Sequence, residues 1–215
     1  MKLQVAWNWR ASRTELVVRA QKGETLDLDD VAWLRAGLCP QLSFPEVEGG
    51  CWGRGKALVR YDILGCTSLS RRVKAPLGES ALCSLLESLG RAVHACGCAG
   101  RPLERILYDP RHVYVDSNDR LRLIYVPFSG TCFDVRTNSP FALLEALANP
   151  RHLKLSSMAA HAHVEQLGRF IATEPTFSAN RYQRFLAREC PGARVPSIAE
   201  TAEGRWPHEA ALRAQ

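Results

Sequence analysis

The sequence predicts an α+β protein with two lobes, a small antiparallel sheet beside a mostly helical part. Strand-like segments rich in Val, Leu and Tyr lie within the first 65 residues. After them, apolar residues recur at helical spacing, and the strand-like segments become short. The chain has 215 residues, of which 46% are hydrophobic and 23% charged, so it is long enough to bury a core and is not disordered throughout.

The first lobe, residues 1–66, is predicted to be β-rich. Its strands are predicted over residues 14–20, 41–47 and 56–64, where β-branched and aromatic residues cluster. A short helix is predicted over residues 26–36, because apolar residues recur there between Thr25, which can cap its start, and Gly37, which can end it.

The second lobe, residues 67–190, is predicted to be mostly helical. Its longest helix is predicted over residues 80–95, where five apolar side chains form one stripe at helical spacing: Leu82, Leu85, Leu86, Leu89 and Val93. Further helices are predicted over residues 68–74, 141–149, 157–173 and 179–188. Residues 191–215 contain Pro, Gly and charges without periodicity, which predicts a tail or linker.

Residues 103–130 contain short elements in a distinctive order. A β-rich piece, residues 113–115, leads to a polar turn at residues 117–120. A second alternating piece, residues 121–126, follows and ends at Pro127. This order resembles the core of a protein kinase, in which a catalytic loop, a strand, a turn and a second strand precede a metal-binding Asp.

Several short motifs extend this resemblance over roughly residues 14–189. They are Tyr61-Asp62-Ile63, Ser68-Leu69, Pro110, Val113-Tyr114-Val115-Asp116 and Tyr125-Val126-Pro127-Phe128. The chain is similar to bacterial domains of unknown function that often precede a forkhead-associated domain in Gram-positive bacteria. Those domains look related to the pseudokinase-like cytoplasmic domain of the type VII secretion membrane subunit. The resemblance implies a two-lobed, degenerate protein-kinase-like fold, although no forkhead-associated domain follows within these 215 residues.

The kinase comparison also predicts which residues occupy the catalytic positions. Aligning Pro110 with the kinase catalytic loop puts Leu107 where the base would stand and His112 where the magnesium-binding Asn would stand. Leucine cannot accept a proton, and neutral imidazole is a poor ligand for Mg²⁺. Tyr125 stands in place of the second metal-binding residue. We therefore expect no enzyme activity, no cofactor, and a cleft filled by side chains such as Tyr125 and Phe128.

A nucleotide-binding loop has weak support in the sequence. Residues 49–55 are glycine-dense, but Trp52 lies inside the turn, where a phosphate-binding loop needs small residues. Lys56 begins its predicted strand, whereas the kinase lysine lies within one. The segment is more typical of a surface hairpin.

The eight cysteines are expected to be free thiols, because a chain of this size without a secretory leader normally keeps them reduced. His94, Cys96 and Cys98 form a candidate metal cluster of three soft ligands within five residues. Their spacing is tighter than that of a zinc knuckle, so a helix end with incidental thiols is the ordinary interpretation. His161 and His163, two residues apart on a helix, are expected to face different sides and to be typical of a solvated helix start.

The formal net charge of +6 comes from scattered basic residues, whereas nucleic-acid binders concentrate them in a stripe with aromatics. No apolar run reaches the ~18 residues of a membrane span, so we expect a cytoplasmic protein. The resemblance implies a non-catalytic protein–protein interaction module in bacterial signalling or secretion assembly, with a partner not named by the sequence. Two alternatives stay open: an atypical nucleotide-binding kinase-like enzyme and a basic nucleic-acid-binding regulator.

Overall fold

The computed structural model describes residues 2–8, 12–48, 57–131, 133–134 and 137–191. The strands are β1 (Lys2–Asn8), β2 (Arg13–Arg19), β3 (Thr25–Leu26), β4 (Pro45–Glu48), β5 (Leu58–Asp62), β6 (Thr67–Ser68), β7 (Pro76–Leu77), β8 (Tyr114–Val115), β9 (Leu121–Arg122), β10 (Phe128–Ser129) and β11 (Lys154–Leu155). The helices are α1 (Leu28–Arg35), α2 (Leu69–Arg72), α3 (Glu79–Cys98), α4 (Pro140–Ala148), α5 (Met158–Thr173) and α6 (Ala179–Glu189), with a 3₁₀ turn at Leu103–Arg105. The predicted α+β class, with small antiparallel sheets and a helical C-terminal part, is confirmed.

The largest sheet has four antiparallel strands in the order β1-β2-β5-β4. Strand β2 lies inside the sheet, and its residues Leu16, Val17 and Val18 are buried. Glu15 on the same strand is also fully buried, and it accepts hydrogen bonds from Arg13 (2.8 Å) and Arg60 (3.1 Å). Two arginines from neighbouring positions of the sheet thus compensate the charge of the one buried carboxylate of β2.

The predicted helices are confirmed, with one correction at the start of α1. The side chain of Asp27, not that of Thr25, caps this helix by accepting a hydrogen bond from the backbone N–H of Asp30 (3.2 Å). Thr25 belongs instead to β3, which pairs with β10 more than 100 positions later in the chain. Gly37 follows the helix with a positive φ of 67°, as expected for a residue that ends it.

The apolar residues form two cores. The larger core surrounds the leucine stripe of α3 and includes side chains of α4, α5 and α6. The smaller core covers the four-stranded sheet, and residues from the second half of the chain complete it: Leu107, Tyr114, Ile124, Val126 and Phe128. The larger core in turn includes Leu34, Cys39 and Leu42 of the first half, so both halves of the chain contribute to each core.

The expectation of free thiols is wrong for Cys83 and Cys190, which form a disulfide between α3 and the residue after α6. Their Cα atoms lie 5.7 Å apart, a distance that a disulfide can bridge without movement of the backbone. The positions are 107 residues apart in sequence, so their proximity depends on helix packing that local pattern does not reveal. Cys39, Cys66 and Cys96 are free thiols.

Three regions singled out in the sequence are not described. The glycine-dense segment 49–55 with Lys56 lies outside the described residues, and so do Cys132 and residues 192–215 of the predicted tail. Within the described parts of the chain, no helix combines the length and the apolar character that a membrane span requires.

Candidate functional site

A polar cluster lies between the sheet half and the helical half of the molecule. We call it the interlobe centre and define it by Asp30, Tyr61, Arg101, Arg105 and Tyr125. Its acid, Asp30, lies in the first turn of α1 and is fully buried. A buried carboxylate is costly unless donors surround it, so the partners of Asp30 explain how the centre is stabilised.

Two arginines and a tyrosine from distant positions donate to Asp30. Arg101 donates from Nη1 to Oδ1 at 2.8 Å, and Arg105 pairs with Oδ2. Tyr125 donates its hydroxyl to the same Oδ2 at 3.2 Å. Arg105 also donates to Asp27 at 2.9 Å, so it joins the cap and the buried acid of α1 to the 3₁₀ turn of the second half. Both oxygens of Asp30 therefore have partners inside the protein.

Aromatic side chains enclose this cluster. Tyr61 of β5 donates its hydroxyl to the backbone carbonyl of Tyr125 at 2.6 Å, and both rings are fully buried. Trp33 of α1 packs edge-on against Tyr125, with ring centroids 5.5 Å apart. The guanidinium of Arg101 lies 5.9 Å from the ring of Trp33. Side chains thus fill the space around Tyr125.

The pKa shifts are consistent with a fixed arrangement of charges. The hydrogen bond from Arg105 is the main reason that the pKa of Asp27 is lowered. Burial alone would lower the pKa of Arg105, but Asp27, Asp30 and Tyr125 hold it above its ordinary value. Burial raises the pKa of Tyr61 and of Tyr125, so both phenols keep their protons at neutral pH and act as donors.

The three residues that the sequence comparison aligned with kinase catalytic positions lie in different surroundings. Leu107 is buried in the smaller core, and its backbone N–H donates to Ile124 at 2.8 Å. His112 is partly buried, burial lowers its pKa, and its Nδ1 has no hydrogen-bond partner among the described residues. Tyr125 belongs to the interlobe centre. Asp109, the acid closest in sequence to these positions, pairs with its neighbour Arg111 at 2.6 Å.

The candidate metal trio of the sequence is divided between two sides of α3. His94 lies 3.5 Å from the sulfur of Cys98 and 3.1 Å from the side-chain amide of Gln183. Cys96 is fully buried in the larger core, and burial raises the pKa of its thiol strongly. A thiol that loses its proton reluctantly is a poor metal ligand, since the thiolate is the form that binds.

Sequence reasoning singled out Tyr125 but missed Asp30, Arg101 and Arg105. The pair Asp27-x-x-Asp30 at the helix start could have indicated the site. Asp27 caps the helix, which leaves Asp30 to face the interior. The arginine partners carry no local signal, since they lie 71 to 78 positions from these acids. Neither protein-family models nor curated proteins give a match to this sequence.

Proposed function

We propose that the chain is a non-catalytic, degenerate kinase-like module that binds a protein partner in bacterial signalling or secretion assembly. One observation carries the proposal: the buried acid of α1 is engaged by Arg101, Arg105 and Tyr125 within the protein itself. A centre whose charges are already paired needs no ligand to be stable. Its role is then to hold the two halves in one arrangement for recognition by another protein.

The kinase comparison supports this proposal at the level of named side chains. In active kinases a strand lysine pairs with an acid of the neighbouring helix, and both the lysine and the metal-binding Asp contact the nucleotide phosphates or their metal. In this chain α1 lies between β2 and β4 in sequence, and β2 and β5 contain no lysine. The helix acid, Asp30, pairs instead with Arg105, and Tyr125, which the sequence comparison aligned with a metal-binding residue, donates its hydroxyl to Asp30.

The pairing of arginines argues against a nucleic-acid-binding role. At least eleven arginines of the described residues lie within ion-pair distance of a carboxylate. The most buried of these arginines, which are 20–26% exposed, are the least able to contact the backbone of a nucleic acid: Arg13, Arg60, Arg72, Arg101 and Arg105. A protein partner with an acidic surface fits the net charge of +6 without requiring a continuous basic stripe.

A thermal titration with Mg²⁺ and ATP tests the non-catalytic part of the proposal. A site filled at a hundred times its Kd would stabilise the protein by about 2.7 kcal/mol, which raises the Tm of a domain of this size by roughly 5–10 °C. We expect no such rise. A rise that disappears in Asp109→Asn or Asp116→Asn would show that an acid near the kinase-like positions binds the metal nucleotide, and the proposal would be wrong.

A second experiment tests the partner. The full chain is mixed with the products of genes that neighbour its own, above all forkhead-associated, kinase, phosphatase and secretion proteins, and the molar mass is measured by light scattering. We expect a stoichiometric complex that forms equally with and without ATP. Retention on heparin with a steep salt dependence, and no complex with any of these proteins, would favour the nucleic-acid alternative.

A further inference from the structure

Three helices bring together a second group of side chains, far from the interlobe centre. Cys83 of α3, His163 of α5 and Cys190 after α6 place one sulfur, one ring nitrogen and one sulfur within 4.8 Å of one another. Glu79 lies one turn before Cys83 on α3, and its Oε1 is 3.7 Å from Nε2 of His163. Three side chains that can ligate a metal therefore lie close together, and a fourth, Glu79, lies beside the histidine.

The imidazole of His163 has a position that packing alone does not explain. Its side chain is 15% exposed, and Nε2 is buried without a hydrogen-bond partner among the described residues. Buried polar atoms without a partner are uncommon in folded proteins, and each one calls for an explanation. The disulfide between Cys83 and Cys190 offers the ring no donor, and Glu79 lies beyond hydrogen-bond distance.

We propose that this cluster binds a zinc ion when the disulfide is reduced. The ligands are the sulfurs of Cys83 and Cys190, a ring nitrogen of His163, and the carboxylate of Glu79 as the fourth. Two thiolates and an imidazole suit Zn²⁺, which is borderline soft and tetrahedral, and they exclude Mg²⁺ and Ca²⁺, which prefer oxygen ligands.

The disulfide and the zinc site are alternative states of the same two sulfurs. A thiol or phosphine reductant supplies two electrons to the S–S bond, and two protons give two thiols. Binding of Zn²⁺ then displaces both protons as the thiolates coordinate the ion. In a tetrahedral site the two sulfurs lie about 3.8 Å apart, a separation that side-chain rotation can provide between Cα atoms 5.7 Å apart.

The surroundings allow an ion to reach this cluster. An open cavity of about 610 Å³ is lined by Glu79, Cys83 and Cys190 together with Ser80 and Ser84. Three of the four proposed ligands therefore border the open cavity, and helices α3, α5 and α6 position the ligands. The site differs in this respect from Cys96, which is fully buried in the core.

The test uses the full chain in a phosphine reductant, with Zn²⁺ or Co²⁺ as the only added ligand. We expect one metal per chain by elemental analysis, and a cobalt spectrum with thiolate charge-transfer bands and the visible bands of a tetrahedral ion. Cys83→Ser with Cys190→Ser should abolish this binding. His163→Gln should weaken it at least about tenfold. Cys98→Ser, at the other end of α3, is the matched control and should bind as the unchanged chain does.

Folding of each variant is checked by circular dichroism, and His163→Gln keeps the test decisive if the double serine variant does not fold. Zinc bound equally by the chain and by His163→Gln would overturn the proposal. Loss of zinc in Cys98→Ser would also overturn it, because the metal would then belong to the His94 cluster. A cobalt spectrum without thiolate bands would also overturn the proposal. So would zinc binding by the disulfide form that equals binding by the reduced chain.

Discussion

At the residue scale, Asp30 shows that the burial of a residue can differ from what the neighbouring sequence suggests. Apolar residues recur along α1, yet Leu28 is 60% exposed and Asp30 is fully buried. Charged residues are almost never fully buried unless they are paired. Asp30 is buried because Arg101, Arg105 and Tyr125 approach it from the second half of the chain, and the sequence around α1 does not contain that information.

Replacing Asp30 tests whether the interlobe centre stabilises the protein. Asp30→Asn removes the charge that Arg101 and Arg105 share, and breaking a buried ion pair in this way destabilises by about 3–5 kcal/mol. The free energy of unfolding is measured in urea. Asp29→Asn, an exposed neighbour on the same helix, is the control and should change it by less than about 0.5 kcal/mol. Equal stability of the two variants would contradict this role of the centre.

Glu15 determines part of the response to acid. Burial alone would raise the pKa of this carboxyl, but hydrogen bonds from Arg13, Asn8 and Arg60 lower it below 4.5. A lowered pKa in the folded state means that the contribution to stability is fully present above pH 4.5 and is lost as the pH falls through the folded-state pKa.

Glu15→Gln should therefore flatten the loss of stability on acidification below about pH 5. The urea midpoint is measured from pH 7 to pH 3 for this variant and for Glu145→Gln, which is exposed and serves as the control. If the urea midpoint falls equally with pH for Glu15→Gln and for the unchanged chain, the buried carboxyl does not contribute to the acid response.

At the element scale, helices with local start signals were predicted well, and short strand pairs were not. Ser139, Ser157 and Ser178 each accept a hydrogen bond from the backbone N–H three positions later, so the caps could be read directly from the sequence. The pair β7–β11 joins two-residue strands 78 positions apart, and no residue pattern of that length identifies a strand. Local chemistry thus specifies helix ends, while these pairs depend on packing.

Removing a cap should have a measurable cost. Ser157→Ala deletes the 3.1 Å hydrogen bond to the N–H of Ala160 and should destabilise the protein by about 1 kcal/mol. The matched control is Ser68→Ala at the start of α2, where the side chain makes no capping hydrogen bond. The two free energies of unfolding are compared in urea. A loss of stability no larger than that of Ser68→Ala would mean that the Ser157 side chain does not stabilise the start of α5.

At the scale of the whole molecule, the sequence predicted the α+β class and the positions of the long helices, but not how distant groups meet. Cys83 and Cys190 were expected to be free, and His163 was expected at a solvated helix start. The structure joins the two cysteines and places His163 beside them, while His161 is the exposed member of the pair. Each of these contacts depends on the packing of α3, α5 and α6, for which a single sequence gives no direct signal.

The disulfide should be a major contribution to stability. It closes a loop of 107 residues, and loop closure of this length stabilises by about 4–5 kcal/mol in the chain-entropy model. A reductant in metal-free buffer should therefore lower the urea midpoint of the unchanged chain, and it should leave that of Cys83→Ser with Cys190→Ser nearly the same. Zinc added to the reduced chain should restore part of the loss. An unchanged midpoint on reduction would contradict the role of the disulfide.

The pairing of β3 with β10 affects how the protein unfolds. Thr25 and Ser129 are joined by backbone and side-chain hydrogen bonds, and the N–H of Asp27 donates to the carbonyl of Pro127 at 2.9 Å. A rotation that swung the sheet half away from the helical half would break these bonds as well as the Tyr61–Tyr125 bond. Slow amide exchange should then extend across both halves at similar rates, since neither can open without the other.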